Sequence, residues 1–217
     1  MILKKEVKFL GCKIDLRKGV FIPREETRFW VKKALRDCEL KIKILKLKKP
    51  KFLDIFSGSG CIGIAILKNI KNSLVDFVDV DKKAIEQIKI NLSLNKISKS
   101  RYKIYKSNLF EKIKGKKYNF IFANPPYVAK ERINEVQKSV LLYEPKIAIL
   151  GGKDGLFWIR KFLNEAKDHL KENGVIFMEF DPLQKEEIEK ILKKSKFKKF
   201  SFFLDQFKKF RFLMAEK

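Results

Sequence analysis

From Lys51 onward, short apolar runs alternate with segments in which apolar residues recur every three to four positions. The runs predict buried strands, and the periodic segments predict helices that cover both faces of a parallel sheet. We expect strands at 52–55, 74–79, 102–106, 118–123 and 174–180. We expect helices at 61–69, 82–94, 155–171 and 182–194. Two closing apolar runs, 197–204 and 210–215, predict a terminal antiparallel pair.

The residues before this region follow a different pattern. Apolar residues alternate loosely over 7–21, and a polar turn at 17–19 predicts a β-hairpin. Residues 23–27 look like the start of a helix, and a proline closes the segment. We therefore expect a hairpin and helix leader, 1–50, packed on a larger α/β domain, 51–217.

Composition excludes several classes of protein. A hydrophobic fraction of 45% argues against disorder, and no apolar run reaches the roughly 20 residues that cross a bilayer. The first residues lack the pattern of a secretory signal, so we expect a cytoplasmic protein. Three widely spaced cysteines and one histidine, His169, suggest neither disulfides nor a metal site.

A net charge of +25 raises the question of a nucleic-acid partner. Of the 51 basic residues 43 are lysines, spread along the whole chain, whereas base reading and bidentate phosphate binding favour arginine. A solvated, lysine-rich surface is the better interpretation, and nucleic acid stays open as the less favoured partner.

A glycine-rich segment follows the first strand of the larger domain. It reads Phe52-Leu-Asp-Ile-Phe-Ser-Gly-Ser-Gly-Cys-Ile-Gly63 and leads into a helix, so a ligand can approach the backbone at the glycines. Asp79 stands about twenty residues further on, where a carboxylate can hold two ribose hydroxyls. On these residues alone the cofactor is either NAD or S-adenosylmethionine.

Two features favour S-adenosylmethionine. Asp54, inside the strand, is placed to pin the loop and to face the cationic amino-acid end of this cofactor. Asn108 offers an amide to the edge of the adenine, and Leu109 offers an apolar surface to its face. The plainer alternatives are a loop-fixing acid and an ordinary turn residue. Asp81 competes with Asp79 for the ribose but is better explained as a helix cap.

The most specific signal is Asn124-Pro-Pro-Tyr127, where an apolar strand stops at two prolines. This corner falls at the carboxyl edge of the sheet, the edge at which open α/β sheets bind ligands. Neither proline has an N–H, so the carbonyls nearby stay free to accept hydrogen bonds. A rigid turn that only ends a strand is the plainer alternative.

These acceptors suit an NH₂ group on a planar carbon. The side-chain oxygen of Asn124 and the carbonyl of Pro125 can each accept one of its hydrogens, which aims the nitrogen at a methyl donor. Pro126 makes the backbone rigid, and Tyr127 would form a wall for a flat amide or base. We therefore expect the reaction and the binding of the acceptor at Asn124, Pro125, Pro126 and Tyr127.

Over nearly its whole length the chain resembles the release-factor glutamine methyltransferase family, HemK/PrmC. Residues 22–27 look like the family's Pro-Arg-Pro-x-Thr-Glu motif, and 124–127 is its substrate tetrapeptide. Residues 143–156 follow its Glu-Pro-x-x-Ala-Leu…Gly-x-Asp-Gly-Leu segment, which separates the family from nucleic-acid adenine methyltransferases. Further matches lie in the final third, at Met178-Glu179, Gln184, Asp205 and Arg211.

The resemblance implies a Rossmann-like class I methyltransferase fold. It implies methyl transfer from S-adenosylmethionine to the glutamine of the Gly-Gly-Gln loop in a peptide-chain release factor, its protein partner. By position it implies that Asp79 holds the ribose, that Asn108 and Leu109 border the adenine, and that Asn124 touches donor and glutamine. The implied cofactor loop is Phe56, Ser57, Gly58, Ser59 and Gly60.

The chain departs from the family pattern at three places. Arg28 stands where glutamate is usual, Asn108 where aspartate is common, and Phe180-Asp181 where small residues are usual. The bacterial family usually carries an N-terminal helical domain, and this chain begins at about the end of that domain. Either the catalytic domain acts alone, or a further piece completes it.

Two other functions stay open. An adenine-N6 methyltransferase acting on RNA or DNA would also bind an NH₂ on a planar carbon, and the basic surface would help it. A partner subunit that binds the cofactor without catalysing a reaction is the alternative outside the enzymes.

Overall fold

The computed structural model describes residues 6–197 and 199–217. Its strands are β1 (Glu6–Phe9), β2 (Cys12–Asp15), β3 (Lys51–Ile55), β4 (Leu74–Asp79), β5 (Tyr102–Lys106), β6 (Tyr118–Ala123), β7 (Leu170–Glu179), β8 (Lys199–Leu204) and β9 (Phe210–Glu216). Its α-helices are α1 (Glu25–Ile44), α2 (Cys61–Asn69), α3 (Lys82–Leu94), α4 (Lys138–Tyr143), α5 (Phe157–Ala166) and α6 (Lys185–Lys194). None of the helices in these ranges is long and apolar enough to span a bilayer.

Seven strands form one sheet in the order β5-β4-β3-β6-β7-β9-β8. Neighbouring strands from β5 across to β7 pair in parallel, whereas β9 pairs antiparallel with both β7 and β8. The predicted Rossmann-like α/β fold, mostly parallel with a terminal antiparallel hairpin, is confirmed. The chain order reverses between the neighbouring strands β3 and β6, and such a switch point opens a crevice beyond the carboxyl ends of the strands.

Each face of the sheet has its own core, because consecutive residues of a strand point to opposite faces. Phe120 and Phe122 of β6 belong to the core under α1, α2 and α3, and the alternate residues belong to the core under α5 and α6. Trp30 of α1 is fully buried and stacks on Phe122 and Phe212, with ring centroids 5.9 and 5.8 Å apart. Helix α1 therefore packs directly on the sheet, while the domain boundary at residue 50 stays a prediction.

The N-terminal hairpin differs from the prediction in the position of its turn. Strands β1 and β2 pair antiparallel with Phe9 opposite Cys12, so the turn lies at Leu10 and Gly11 rather than at 17–19. Both turn residues have positive φ, 45° and 82°, as the tight turns that suit hairpin twist require. The predicted turn at 17–19 exists but follows the hairpin, with the Gly19 N–H donating to the Leu16 carbonyl at 3.1 Å.

The boundary between α5 and β7 also differs. The prediction of a helix over 155–171 is wrong at both ends, because α5 spans Phe157–Ala166 and a 3₁₀ turn, Lys167–His169, follows it. Strand β7 begins at Leu170, which pairs with Tyr118, and not at 174. A register shift and a positive φ of 58° at Asn173 interrupt the strand. Because the residues before this interruption are polar, their sequence looks like the end of a helix.

Most other bounds agree with the pattern. Helices α2 and α3 and strands β4, β5 and β6 have the predicted limits, and β3 begins one residue earlier, at Lys51. The predicted helix at 182–194 is a 3₁₀ turn, Pro182–Gln184, followed by α6. The predicted strand at 197–204 begins at Lys199, while Lys198 lies outside the described residues.

Buried side-chain amides of α3 hold the hairpin against the larger domain. Asn91 Oδ1 accepts the Asp15 N–H at 2.8 Å, and Asn91 Nδ2 donates to the carbonyls of Asp15 at 3.0 Å and Ser59 at 2.9 Å. In the same way, Asn95, which directly follows α3, accepts the Lys13 N–H at 3.0 Å, and Gln87 accepts the Lys18 N–H at 2.9 Å. One fully buried side chain, Asn91, thus joins the leader to the glycine loop.

Asn91→Ala should lower the free energy of unfolding by about 1–3 kcal/mol, because a buried N–H and two carbonyls lose their partner. Ser93→Ala, a change on the exposed face of the same helix, is the control and should stay within about 0.5 kcal/mol of wild type. Urea unfolding followed by circular dichroism measures both. Equal stability of the two variants would show that the amide does not anchor the hairpin.

Candidate active site

The glycine loop between β3 and α2 is a tight turn made by left-handed residues. Phe56, Gly58 and Gly60 have φ of 60°, 52° and 76°. The Ser57 hydroxyl donates to the Asp54 carbonyl at 2.6 Å, and the Ser57 N–H donates to the Val78 carbonyl of β4 at 3.1 Å. Phe56 has a left-handed backbone conformation that non-glycine residues rarely adopt, so its backbone is strained. The two hydrogen bonds of Ser57 offset this strain.

Asp54 supports this loop from below. Its side chain is fully buried, its Oδ2 accepts the Gly63 N–H at 2.8 Å, and its Oδ1 has no hydrogen-bond partner among the described residues. Burial raises the pKa of the Asp54 carboxyl well above its usual value. Asp54 does not line the cavity beside the loop, and its hydrogen bond to Gly63 is what a loop-fixing acid would make. Its contact with the cofactor stays a prediction.

Asp79, at the end of β4, reaches the loop from the side. Its Oδ2 accepts the Gly58 N–H at 2.8 Å, and its Oδ1 accepts the Asp81 N–H at 2.9 Å. Asp81 caps α3, as expected, because its side chain accepts the Lys83 N–H at 2.9 Å. Asp79 is therefore oriented by two backbone groups while it borders the cavity.

A cavity of about 850 Å³, including its open mouth, lies between the glycine loop, the ends of β4 and β5, and the Asn124 corner. Eight predicted residues line it: Phe56, Ser57, Gly58, Asp79, Asn108, Leu109, Asn124 and Pro126. Ser59 and Gly60 are buried beneath the loop surface and do not line it. The Asn108 side chain also donates to Glu111 at 2.8 Å.

A second cavity, of about 570 Å³ including open space, lies on the other side of the Asn124 corner. Pro125 and Tyr127, the remaining members of the tetrapeptide, line this cavity rather than the first one. Four residues border both cavities, namely Phe21, Asn124, Pro126 and Ala148. The corner thus faces the glycine-loop crevice and a separate space at once.

An ion pair closes one wall of the second cavity. Arg24, just before α1, donates to Glu144, whose side chain is fully buried. Burial raises the pKa of Glu144, and the guanidinium of Arg24 opposes that shift. The pair joins the segment that resembles the family's Pro-Arg motif to the segment that resembles its Glu-Pro motif.

The segment after Glu144 runs beside the tetrapeptide at very short range. The Val128 N–H donates to the Ile149 carbonyl at 3.0 Å, and the Gly151 N–H donates to the Val128 carbonyl at 2.9 Å. A Cβ atom at Gly151 would lie 2.6 Å from the Pro126 carbonyl oxygen, and one at Gly155 would lie 2.3 Å from the Tyr127 carbonyl oxygen. Glycine is therefore required at both positions for the two segments to pack.

Several residues of the site were not among those predicted. Val20 and Phe21 cover the first cavity from the leader, and Trp158 of α5 borders it. Glu179, which sequence similarity marked without a role, accepts a hydrogen bond from the Tyr127 hydroxyl at 2.9 Å. The one available signal was a glutamate inside the otherwise apolar run 174–180. His169 lies outside the site, buried and stacked on Phe110, with centroids 4.2 Å apart.

Of the three departures from the family pattern, Asn108 lines the first cavity, whereas Arg28 and Phe180-Asp181 line neither cavity. Arg28 is exposed and pairs with Glu25 one turn earlier on α1. Asp181 forms a capping box with Gln184 at the 3₁₀ turn and lies 3.3 Å from Arg132.

Comparison with known proteins gives consistent matches. The model of the methyltransferase small domain family matches residues 38–211. The release factor glutamine methyltransferase of Clostridium acetobutylicum is 34% identical over 90% of this chain and 67% of its own length. Those of Borreliella burgdorferi and Fusobacterium nucleatum are 39% and 33% identical over 85% and 98% of this chain, and over 60% and 58% of their own lengths. The chain spans about three fifths of the length of the curated relatives it matches.

Solved structures share the fold at low sequence identity. The T. thermophilus 16S rRNA methyltransferase RsmC, in complex with AdoMet and guanosine, has a TM-score of 0.68 at 18% identity over 98% of this chain and 49% of its own. The catalytic domain of hMettl16 with a MAT2A 3′UTR hairpin has a TM-score of 0.70 at 17% identity over 96% of this chain and 76% of its own.

Asp79→Asn should weaken the binding of S-adenosylmethionine about tenfold or more, because a charged hydrogen bond contributes about 1.5–3 kcal/mol. Asp81→Asn removes the same charge nearby, yet asparagine caps a helix as well as aspartate does, so this variant should bind within about threefold of wild type. Isothermal titration calorimetry measures both dissociation constants. If Asp81→Asn weakened binding of S-adenosylmethionine more than Asp79→Asn does, the contact with the ribose would be assigned to Asp81.

Proposed function

We propose that this chain, which belongs to the release factor glutamine methyltransferase family, transfers a methyl group from S-adenosylmethionine to a glutamine side-chain amide. The acceptor is the glutamine of the Gly-Gly-Gln motif in a peptide-chain release factor, and the products are N5-methylglutamine and S-adenosylhomocysteine. The observation that carries the proposal is the position of Asn124, which borders both cavities.

The two cavities suit a two-substrate transfer. A methyl group moves in line from its donor to its acceptor, so the two molecules must meet from opposite sides of one point. Asn124 and Pro126 lie at that point, between the cavity beside the glycine loop and the cavity beside Tyr127. The donor occupies the first cavity, and the acceptor side chain enters the second.

The residues of the first cavity fit S-adenosylmethionine. The Asp79 carboxylate is held in place for a ribose diol, Leu109 and Trp158 supply apolar surface for a base, and the loop at Gly58 lets a ligand lie against backbone. RsmC, which shares the fold, was solved with AdoMet. When bound, S-adenosylmethionine supplies a methyl carbon on a cationic sulfur.

The tetrapeptide orients the acceptor amide. Asn124 Oδ1 and the Pro125 carbonyl each accept one hydrogen of the NH₂ group, which fixes the direction of the nitrogen lone pair. An amide nitrogen is a weak nucleophile, and these two oxygens also stabilise the positive charge that develops on it. A nitrogen–carbon bond forms, the carbon–sulfur bond breaks, and the nitrogen then releases a proton to solvent.

Adenine in RNA or DNA is the second candidate acceptor. Its exocyclic amine is also an NH₂ group on a planar carbon, and the net charge of +25 favours a polyanionic partner. The segment 144–156 favours glutamine, because it packs against the tetrapeptide and matches the release-factor family. A cofactor-binding subunit without activity is the remaining alternative.

Incubation with labelled S-adenosylmethionine should transfer label to a class I release factor and not to RNA or DNA. Mass spectrometry should locate one methyl group on the glutamine of the Gly-Gly-Gln motif. A release factor with alanine in place of that glutamine is the matched control and should stay unlabelled. Label on nucleic acid alone would reject the glutamine assignment, and cofactor binding without any transfer would indicate the inactive subunit.

Asn124→Ala should lower kcat roughly ten- to a hundredfold, because the loss of a buried hydrogen-bond partner costs about 1–3 kcal/mol in the transition state. The dissociation constant for S-adenosylmethionine should stay within about threefold of wild type. Asn108→Ala, which removes an amide from the expected adenine site in the same cavity, should instead raise the KM for the cofactor and leave kcat nearly unchanged. Wild-type turnover in Asn124→Ala would place the chemistry elsewhere.

A further inference from the structure

A buried carboxylate lies directly behind the reactive corner. Glu179, the last residue of β7, is 1% exposed, and both of its oxygens accept hydrogen bonds. Oε1 accepts the Tyr127 hydroxyl at 2.9 Å. Oε2 accepts the Thr27 hydroxyl at 2.7 Å and the Trp30 indole N–H at 2.6 Å. Three donors from two distant parts of the chain therefore converge on one side chain.

Burying a carboxylate costs free energy, so stability alone does not explain why Glu179 lies here. Burial raises the pKa of the Glu179 carboxyl, while the hydrogen bonds from Trp30, Thr27 and Tyr127 lower it. A buried charge is an unfavourable way to join two elements, since apolar side chains of similar size often pack at least as well. What a carboxylate adds is direction, because each of its oxygens accepts only from donors at defined positions.

Tyr127 is fixed at its other end as well. The Gln184 side chain donates to the Tyr127 carbonyl at 2.9 Å, and the Asp181 N–H holds the Gln184 oxygen at 3.2 Å. Between this tyrosine and Asn124 lie two prolines, whose φ angles are locked. Since this short link has few free torsions, fixing Tyr127 also fixes the Pro125 carbonyl and the backbone of Asn124.

The same carboxylate reaches the leader. Thr27 and Trp30 lie in the first two turns of α1, and the Trp30 ring is held between Phe122 and Phe212. Glu179 therefore hydrogen-bonds both to α1 and to Tyr127 of the tetrapeptide, and it links their positions. Arg24, at the start of the same helix, borders the second cavity.

We propose that Glu179 is a positioning residue of the transfer reaction, which orients Tyr127, and through it the Asn124 and Pro125 acceptors, relative to helix α1. This inference rests on the proposed methyl transfer. Glu179 acts through Tyr127 and lines neither cavity. Its removal should therefore change turnover rather than the binding of the cofactor.

Kinetics of Glu179→Gln, Tyr127→Phe and the double variant in the full chain test this role. Each single variant should lower kcat about tenfold or more, because misplacement of an acceptor by about 1 Å costs up to a hundredfold. The dissociation constant for S-adenosylmethionine should stay within about twofold. The double variant should be no slower than the slower single variant, because both changes break one contact.

Tyr118→Phe is the matched control, because it removes a buried hydroxyl that donates to a carboxylate, Asp76, at the opposite end of β6. It should leave kcat within about twofold of wild type. Wild-type kcat in Tyr127→Phe, a parallel loss of cofactor binding, or multiplied losses in the double variant would each overturn the positioning role. If Glu179→Gln does not fold, the comparison of kcat between Tyr127→Phe and Tyr118→Phe still tests the positioning role.

A readout that needs no acceptor separates this inference from the proposed function. The chain has two tryptophans, so its indole N–H signals in a nitrogen-edited NMR spectrum are assigned with Trp158→Phe. Tyr127→Phe should shift the Trp30 signal through the shared carboxylate, and Tyr118→Phe should not. If the Trp30 signal shifts but the wild-type protein does not methylate a release factor, the proposed function is rejected while the coupling of Tyr127 to Trp30 stands. An unmoved Trp30 signal overturns the coupling whatever the activity.

Discussion

The structure depends on one constraint, the abrupt end of β6 at two prolines beside the switch point of the sheet. Because a proline cannot donate to a strand partner, the ladder stops and the chain must turn there. The turn leaves Asn124 between two cavities, one built by the glycine loop and one by the 144–156 segment. Both the glycine loop and the 144–156 segment contain residues with positive φ, and Gly151 and Gly155 of that segment lie against the backbone of the corner.

The parts of the fold that depend on local pattern were predictable from the sequence. Strand β6 is apolar on both faces because helices cover both, and its bounds follow directly from the run that the prolines end. The prediction failed where local pattern is ambiguous. The polar first half of β7 has the composition of a helix end, and the turn at Leu10 and Gly11 is shorter and less polar than the one at 17–19.

The site was predictable in its backbone elements and less so in its side-chain network. Gly58, Asp79 and Asn124 were found because strand, loop and spacing signal them, and all three border the first cavity. Asp54 was predicted to face the cofactor and Tyr127 to form a wall for the acceptor, whereas the hydrogen-bond partners of their side chains are Gly63 and Glu179. Contacts such as Thr27 to Glu179, 152 residues apart, leave no local trace in the sequence. The functional roles of all these residues stay predictions.

The central claim is that Asn124 and the Pro125 carbonyl hold the acceptor amide against the methyl donor. A crystal structure of the protein with S-adenosylhomocysteine and a glutamine-containing release-factor peptide tests it most directly. The account predicts the amide nitrogen within hydrogen-bond distance of both oxygens and facing the sulfur. A glutamine bound elsewhere, or one whose amide points away from the sulfur, would contradict it.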